Sequence, residues 1–203
     1  MPDGRSALLT AAVRAFAHEG FDSADLRGIA AAAGVSQNLV RVHFGNKAKL
    51  WEACINTIAS AAAPAMAEVA EIAADEHMSL KTGLRDVIAC VVAFYVKHPE
   101  ARDFVTRHAA DSSERALFVA DRLLKPAYAT CRALFAAGIE AGLIRSKHPA
   151  LFFALLNSAA SQPAGFPALL NRLAPEIQRE AARALMTDTI VATLLHEPAQ
   201  TAS

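Results

Sequence analysis

Apolar side chains recur at helical spacing along the whole chain, and no stretch alternates with the two-residue period of a half-buried strand. β-Branched residues are sparse, while alanine, the best helix former, is abundant. Such a chain has only helices to pack against helices, which makes the fold all-α. With 203 residues, 54% of them hydrophobic, it is long enough to bury a sizeable core in one or two domains. The same composition excludes a disordered tail. Cys54, Cys90 and Cys131 are far apart, with no CxxC and no nearby histidine pair, so they read as small buried hydrophobes and not as a disulfide scaffold or metal site.

Local start and stop signals divide the pattern into about nine helices. Ser6–His18 carries Leu9, Val13, Phe16 and Ala17 on one face and stops at Gly20. Asp25 precedes a helix over Leu26–Ala33 that Gly34 ends, and Ser36 opens a short one to about His43. A long helix starts near Asn46 and heads for Glu76, with Pro64 expected to kink or break it. Ser79–Lys97 follows, closed by His98 and Pro99, then a shorter helix over Glu100–Ala109. Asp111 and Glu114 have the spacing of a capping box, which predicts a helix from there to about Ala141, ended by Gly142. Pro149 suits the first turn of the next helix. The Pro/Gly-rich stretch Gln162–Pro167 reads as a connector, and a last helix runs from about Pro175 to Leu195.

Lys+Arg 20 against Asp+Glu 20 makes the chain formally neutral, so no global positive field favours nucleic acid. The distribution is uneven. Residues 1–50 hold Arg5, Arg14, Arg27, Arg41, Lys47 and Lys49 against Asp3, Glu19, Asp22 and Asp25, leaving that part weakly positive. The N-terminus lacks the basic-then-apolar run of a secretory signal. The uncharged run Pro149–Asn171 has a span's composition but contains Asn157, Ser158, Ser161 and Gln162 and is broken by Pro163 and Pro167, groups that lipid would leave unsatisfied. The expectation is a soluble cytoplasmic protein without membrane contact.

The segment from Asp25 to Phe44 carries the chemistry. Two short helices flank Gly34-Val35-Ser36, a turn of the length used by helix-turn-helix units, and Ala30 to Ala33 offers small side chains where two helices must cross closely. Ser36 is a good N-cap, its hydroxyl free to accept a backbone N–H of the next turn. Val40 and Phe44 are four apart, so they share a face and are expected to pack on Ile29 and the first helix. Gln37, Asn38 and Arg41 are thereby turned outward near the start of the second helix, where a recognition helix needs hydrogen-bonding groups for base edges. With Asn46 as cap of the long helix, Lys47 falls in its first turn. A cation there opposes the helix dipole unless an anion is bound, such as a phosphate held by helix N–H groups and the ammonium.

Residues 5 to about 60 resemble the DNA-binding domain of the tetracycline-repressor (TetR) family. The carrying features are Ala15-Phe16-Ala17-His18-Glu19-Gly20-Phe21, Ile29-Ala30 with Ala33-Gly34-Val35-Ser36, and His43-Phe44 followed by Lys47 and Leu50, with a long all-α remainder. The resemblance implies a transcriptional regulator, usually a repressor, that binds double-stranded operator DNA as a homodimer and answers small molecules through its C-terminal helices. It implies a DNA-binding domain over 1–50 and a ligand-binding and dimerisation domain over 51–203. By position, Gln37, Asn38, Leu39 and Arg41 match the groove-facing residues, and Ser36 at the helix start is counted with them among the DNA-binding residues. His43 and Lys47 match phosphate-contacting positions, and Arg27 on the second helix faces the DNA backbone. Three positions depart from the family pattern: Asp25 stands where Thr or Ser is usual, Arg41 where Tyr is common, and Leu39 where a small polar residue is usual. If exposed, Leu39 is suited to touching a thymine methyl. Gly28 inside the second helix costs up to about 1 kcal/mol relative to Ala and has no reason in the sequence.

Beyond residue 60 the resemblance is one of general architecture. The last two long helices, with Leu151, Leu155, Ile177, Ala181, Leu185, Val191 and Leu195, supply apolar stripes for a four-helix dimer bundle. The middle helices are expected to enclose a small, mostly apolar ligand, with Phe94, Tyr95, Phe104, His108, Phe118, Tyr128, Phe135 and Phe152 as candidate walls. No cofactor, metal or catalytic residue is expected: GxGxxG, P-loop, GxSxG and HExxH are all absent, and the histidines are scattered singly. The competing function is a helical protein-interaction module without DNA binding. It would lack the linear fall of log K with log salt that several phosphate contacts produce.

Overall fold

The computed structural model describes residues 4–109, 114–162 and 165–196, apart from the side chains at 179 and 183. All regular elements among the described residues are helical: α1 (Gly4–Ser23), α2 (Leu26–Ala32), α3 (Gln37–Phe44), α4 (Lys47–Ala74), α5 (Leu80–Lys97), α6 (Pro99–Ala109), α7 (Glu114–Val119), α8 (Lys125–Glu140), α9 (Pro149–Ala160), α10 (Phe166–Leu173) and α11 (Arg179–Leu194). A single π-helical turn, Ala120–Leu124, joins α7 to α8. The chain forms two compact units. One holds everything up to Ala63 together with His98–Pro126; the other holds Pro64–Lys97 and the chain from Ala127 on. The compact unit that contains the helix-turn-helix takes in α6 and α7 as well.

In the first unit α1 packs along α6 and also against α2 and α3. Leu8, Phe16, Ile29, Leu50, Ile55 and Phe104 are fully buried. Trp51 on α4 gathers aromatic rings from three other parts of the chain. Phe104 lies 5.9 Å away, His108 5.5 Å, Phe118 5.7 Å and Phe21 6.1 Å between ring centroids. The indole N–H donates to His108 Nε2 at 3.4 Å, which requires that nitrogen to be unprotonated. Helix α1 bends at Gly20, whose φ of 84° suits a residue without Cβ.

The second unit has its own interior. Leu84, Val87 and Ile88 of α5, Phe135 of α8, Phe152 and Leu156 of α9 and Ile190 of α11 form one apolar cluster. Phe135 and Phe152 meet edge to face at 4.8 Å. Inside it, the Tyr95 hydroxyl donates to Asn157 Oδ1 at 2.9 Å, which satisfies both polar groups. Burial pushes the Tyr95 phenol and the Cys54 and Cys131 thiols up to about 12. For Cys90, burial and then the neighbouring Glu68 carboxylate raise the thiol to about 11. All three thiols are free and buried, as their scattered positions imply.

Several boundaries differ from the sequence expectation. Pro64 does not break α4, which runs through it for 28 residues. The disturbance comes instead at Pro126, inside the stretch expected to be one helix. A proline there has no N–H for the carbonyl four residues back and crowds it, and the chain answers with a wider turn in which Lys125 N–H bonds to Ala120 C=O. Part of the expected connector Gln162–Pro167 is already helix, since α10 starts at Phe166 with a proline in its first turn. The last helix begins at Arg179, because Pro175–Gln178 forms a turn whose Ile177 carbonyl accepts from Asn171 Nδ2 at 3.0 Å. The capping residue Asp111 lies outside the described residues. Pro149 does open α9, capped by His148 Nδ1 accepting from Ala150 N–H at 3.1 Å.

The expected pairing stripe splits. Leu151, Leu155, Ala181 and Leu185 are exposed, Ile177 and Val191 half-buried, and Leu195 belongs to the unit's own core. By length and composition α4 is long and apolar enough to cross a membrane. Leu50, Trp51, Cys54, Ile55 and Ile58 of its first half are buried in the first unit, while only 22% of the apolar window is buried.

Phe104→Ala should destabilise the first unit by about 3–5 kcal/mol, the usual cost of emptying a fully buried aromatic site. The chain's single tryptophan reads this directly: the fluorescence midpoint in urea should move down, and an unmoved midpoint would mean that the ring cluster around Trp51 is not a core.

Candidate nucleic-acid interface

The reading surface is built by local capping and then fixed by burial. Asp25 adopts the extended backbone of an N-cap, and its Oδ2 accepts from Gly28 N–H at 3.0 Å. Gly28 is thus in the first turn of α2, with its donor already satisfied, and a Cβ there would meet only Asp25 Oδ2 at 3.9 Å. Gly34, at φ 69°, turns the corner between α2 and α3. Ser36 holds the backbone geometry of an N-cap, but its hydroxyl makes no capping bond, contrary to the expectation from sequence. It stays exposed on the outer side of the turn.

α3 packs on α1 and α2 and buries Val40 and Phe44 at 1% and 7% exposure. Gln37, Asn38 and Arg41 are exposed, as the spacing requires, and so is His43 at the end of the helix. Arg27 is exposed on α2. Leu39 departs from the expectation. It is half-buried, and its Cδ2 lies 3.0 Å from where a Cβ would stand on Gly4, so its side chain is turned to the start of α1. The apolar side chain that α3 does present is Val42, at 68% exposure. Its register, two residues past Val40 and two before Phe44, is the signal in the sequence that identifies it.

Asn46 caps α4, its Oδ1 accepting from Lys49 N–H at 2.9 Å, so Lys47 does stand in the first turn. Lys47 is half-buried and already engaged within the protein: Nζ donates to Asp22 C=O at 3.0 Å and lies 5.0 Å above the centre of the Phe21 ring. Arg115 of α7 reaches the same ring at 4.4 Å and pairs with Asp22 Oδ2 at 3.3 Å. An ammonium has three N–H donors, so the bond to Asp22 leaves capacity for a phosphate oxygen. Of the other basic side chains in this part, Arg14 pairs with Glu100 of α6 at 3.2 Å, and Arg5 sits 5.3 Å over the Phe44 ring beside α3. A polar cleft of about 360 Å³ lies behind this loop, lined by Glu19 to Ser23, Arg107, His108 and Arg115, with Arg107 Nη2 donating to Glu19 C=O at 3.0 Å.

The eight aromatic and histidine side chains expected to wall a ligand site fall into two groups. Phe104, His108 and Phe118 surround Trp51 in the first unit. Phe94, Tyr95, Tyr128, Phe135 and Phe152 are in the second, where Tyr128 packs on Phe153 at 5.5 Å. No cluster of three or more potential metal-ligating side chains occurs among the described residues.

A capped helix-turn-helix with a polar outer face has the geometry in which a second helix can enter a major groove. Residues 8–54 match the family of bacterial regulatory proteins, tetR family, and residues 77–196 match the tetracyclin repressor-like C-terminal domain. The chain belongs to the tetR family of bacterial regulatory proteins. It is 29% identical over 146 residues to the HTH-type transcriptional repressor NicS of Pseudomonas putida, covering 70% of this chain and 66% of that protein, just under two thirds of its length. The fold matches HlyIIR, a hemolysin II transcriptional regulator, with a TM-score of 0.69 at 14% identity, covering 96% of this chain and 98% of the other. It also matches the fatty acid degradation regulator FadR from Bacillus halodurans, with a TM-score of 0.61 at 16% identity over 93% and 98% of the two chains.

Replacing Lys47 by Ala should lower affinity for all duplex sequences alike and reduce the slope of log K against log salt by about one. The same change removes the bond to Asp22 and should cost about 1 kcal/mol of stability. A salt titration read beside a urea titration separates the two effects. An unaltered salt slope would leave Lys47 with the structural role alone.

Proposed function

We propose that the protein is a ligand-responsive, homodimeric repressor working in the cytoplasm, with the region 1–50 reading operator DNA and 51–203 sensing and pairing. The observation that carries this reading is the outer face of α3. Gln37, Asn38 and Arg41 are exposed near the helix start, while Val40 and Phe44 anchor the opposite face. Amide and guanidinium groups in that arrangement are the ones that pair bidentately with adenine and guanine edges in the major groove. Arg27, Ser36, His43 and Lys47 are assigned to the flanking phosphates, where backbone contacts set register without reading sequence.

Pairing is assigned to α9 and α11, which pack together in the second unit. Leu151 and Leu155 are each 58% exposed and Leu185 47%, and an isologous contact with a second copy would cover them. Two copies bring two reading helices to half-sites about one helical turn of DNA apart. The inducer is assigned to the apolar interior of the second unit, around Phe94, Tyr95, Tyr128, Phe135 and Phe152, and is accordingly small and mostly apolar. Such a ligand releases DNA by binding more tightly to the spacing of the two heads that cannot reach both half-sites. NicS, named a repressor, supports the sign of the regulation.

Selection of bound duplexes from a random pool tests the assignment and supplies the operator. Gln37→Ala and Arg41→Ala should each cost about 1–3 kcal/mol on the selected duplex and relax base preference at one position. Unchanged selectivity in both variants would defeat the recognition-helix assignment. Recovery of no sequence, with binding to protein partners instead, would favour an interaction module. Light scattering should give a dimer at micromolar concentration, and Leu155→Glu should shift it to monomer with the Trp51 fluorescence midpoint unmoved.

A further inference from the structure

We propose that Val42 reads a thymine methyl in each half-site of the operator. The inference rests on the assignment of α3 to the major groove and adds to it a base identity. Val42 is 68% exposed and follows Arg41, one helical turn past Asn38, so its two methyl groups share the outer face with an amide and a guanidinium. Val40 and Phe44 fix the rotation of α3 on either side, which leaves Val42 no inward alternative. Isolated apolar side chains are common on protein surfaces; the distinction here is position, on the outer face of α3 directly after Arg41 and one turn past Asn38. A valine is also a poor choice for solvent alone, since it lowers helix propensity relative to lysine or glutamate and leaves apolar area in water.

The major-groove edges of the four base pairs display hydrogen-bonding atoms and one apolar group, the C5-methyl of thymine. An exposed branched aliphatic side chain has that group as its chemical complement. Valine in a helix holds essentially one χ1 rotamer, so the contact costs little side-chain entropy. Leu39 is not available for this role, because it packs toward Gly4.

The test uses the whole 203-residue chain and the duplex that wild type selects from a random pool. Each thymine is replaced singly by deoxyuridine, which keeps base pairing and every hydrogen-bonding atom but lacks the methyl. One thymine per half-site should weaken wild-type binding about fourfold on replacement, the value of one methyl-sized group removed from water. The same replacement should leave Val42→Ala unaffected, and selection with Val42→Ala should lose its preference at that base pair. Val42→Thr, which keeps one of the two methyls, should retain part of the discrimination and serves as the reading should the alanine variant fail to fold. A selected duplex on which no deoxyuridine replacement separates wild type from the variants overturns the role of Val42 while leaving α3 as the reading helix. Failure to select any duplex removes the DNA-reading assignment and this inference together.

Discussion

The burial of Val40 and Phe44 is the constraint on which the reading surface depends. The two side chains are four residues apart, so one face of α3 is committed to α1 and α2. Burying two such groups stabilises the unit by about 1.5–3 kcal/mol each. Exposing Val42 forfeits one comparable group at most, so the interior decides how the helix is rolled and the outer residues have no say. Gln37, Asn38 and Arg41 point outward because their neighbours point in, which is why the polar pattern of this helix can be read as a surface at all.

In the same unit the helix-turn-helix rests on more than the first three helices. Trp51, from α4, is enclosed by Phe21, Phe104, His108 and Phe118, so α6 and α7 complete the core in which α1 to α3 stand. Phe21 lies between two cations, Lys47 of α4 and Arg115 of α7, each such contact being worth about 0.5–1 kcal/mol at a partly exposed site. Lys47 is therefore fastened to the same short loop as an arginine far along the chain.

What was legible in the sequence was what capping and periodicity decide locally. Asp25 and Asn46 open the helices they were expected to open, since each accepts from a donor in the first turn, and Pro149 opens its own because a first-turn residue needs no N–H partner. The inward pair on α3 followed from spacing alone, and family resemblance placed the helix-turn-helix within the chain. What was not legible was settled by distant partners. Leu39 turns to Gly4 because residue 4 has no side chain to keep it away. The aromatic residues divide between two interiors, and composition does not say which ring joins which. Pro64 and Pro126 look alike in the sequence, yet α4 passes through the first while the second is preceded by a π-helical turn.

The chain passes from one compact unit to the other three times, and each passage falls at or beside a proline: Pro64, Pro99 after His98, and Pro126. An imino acid contributes no amide hydrogen, so at Pro64, inside α4, and at Pro126 the ladder of helical bonds is short by one rung, whereas Pro99 stands first in α6, where there is none to lose. Bending a helix is cheapest where a rung is already missing, and a force applied to either unit will be felt first at those places.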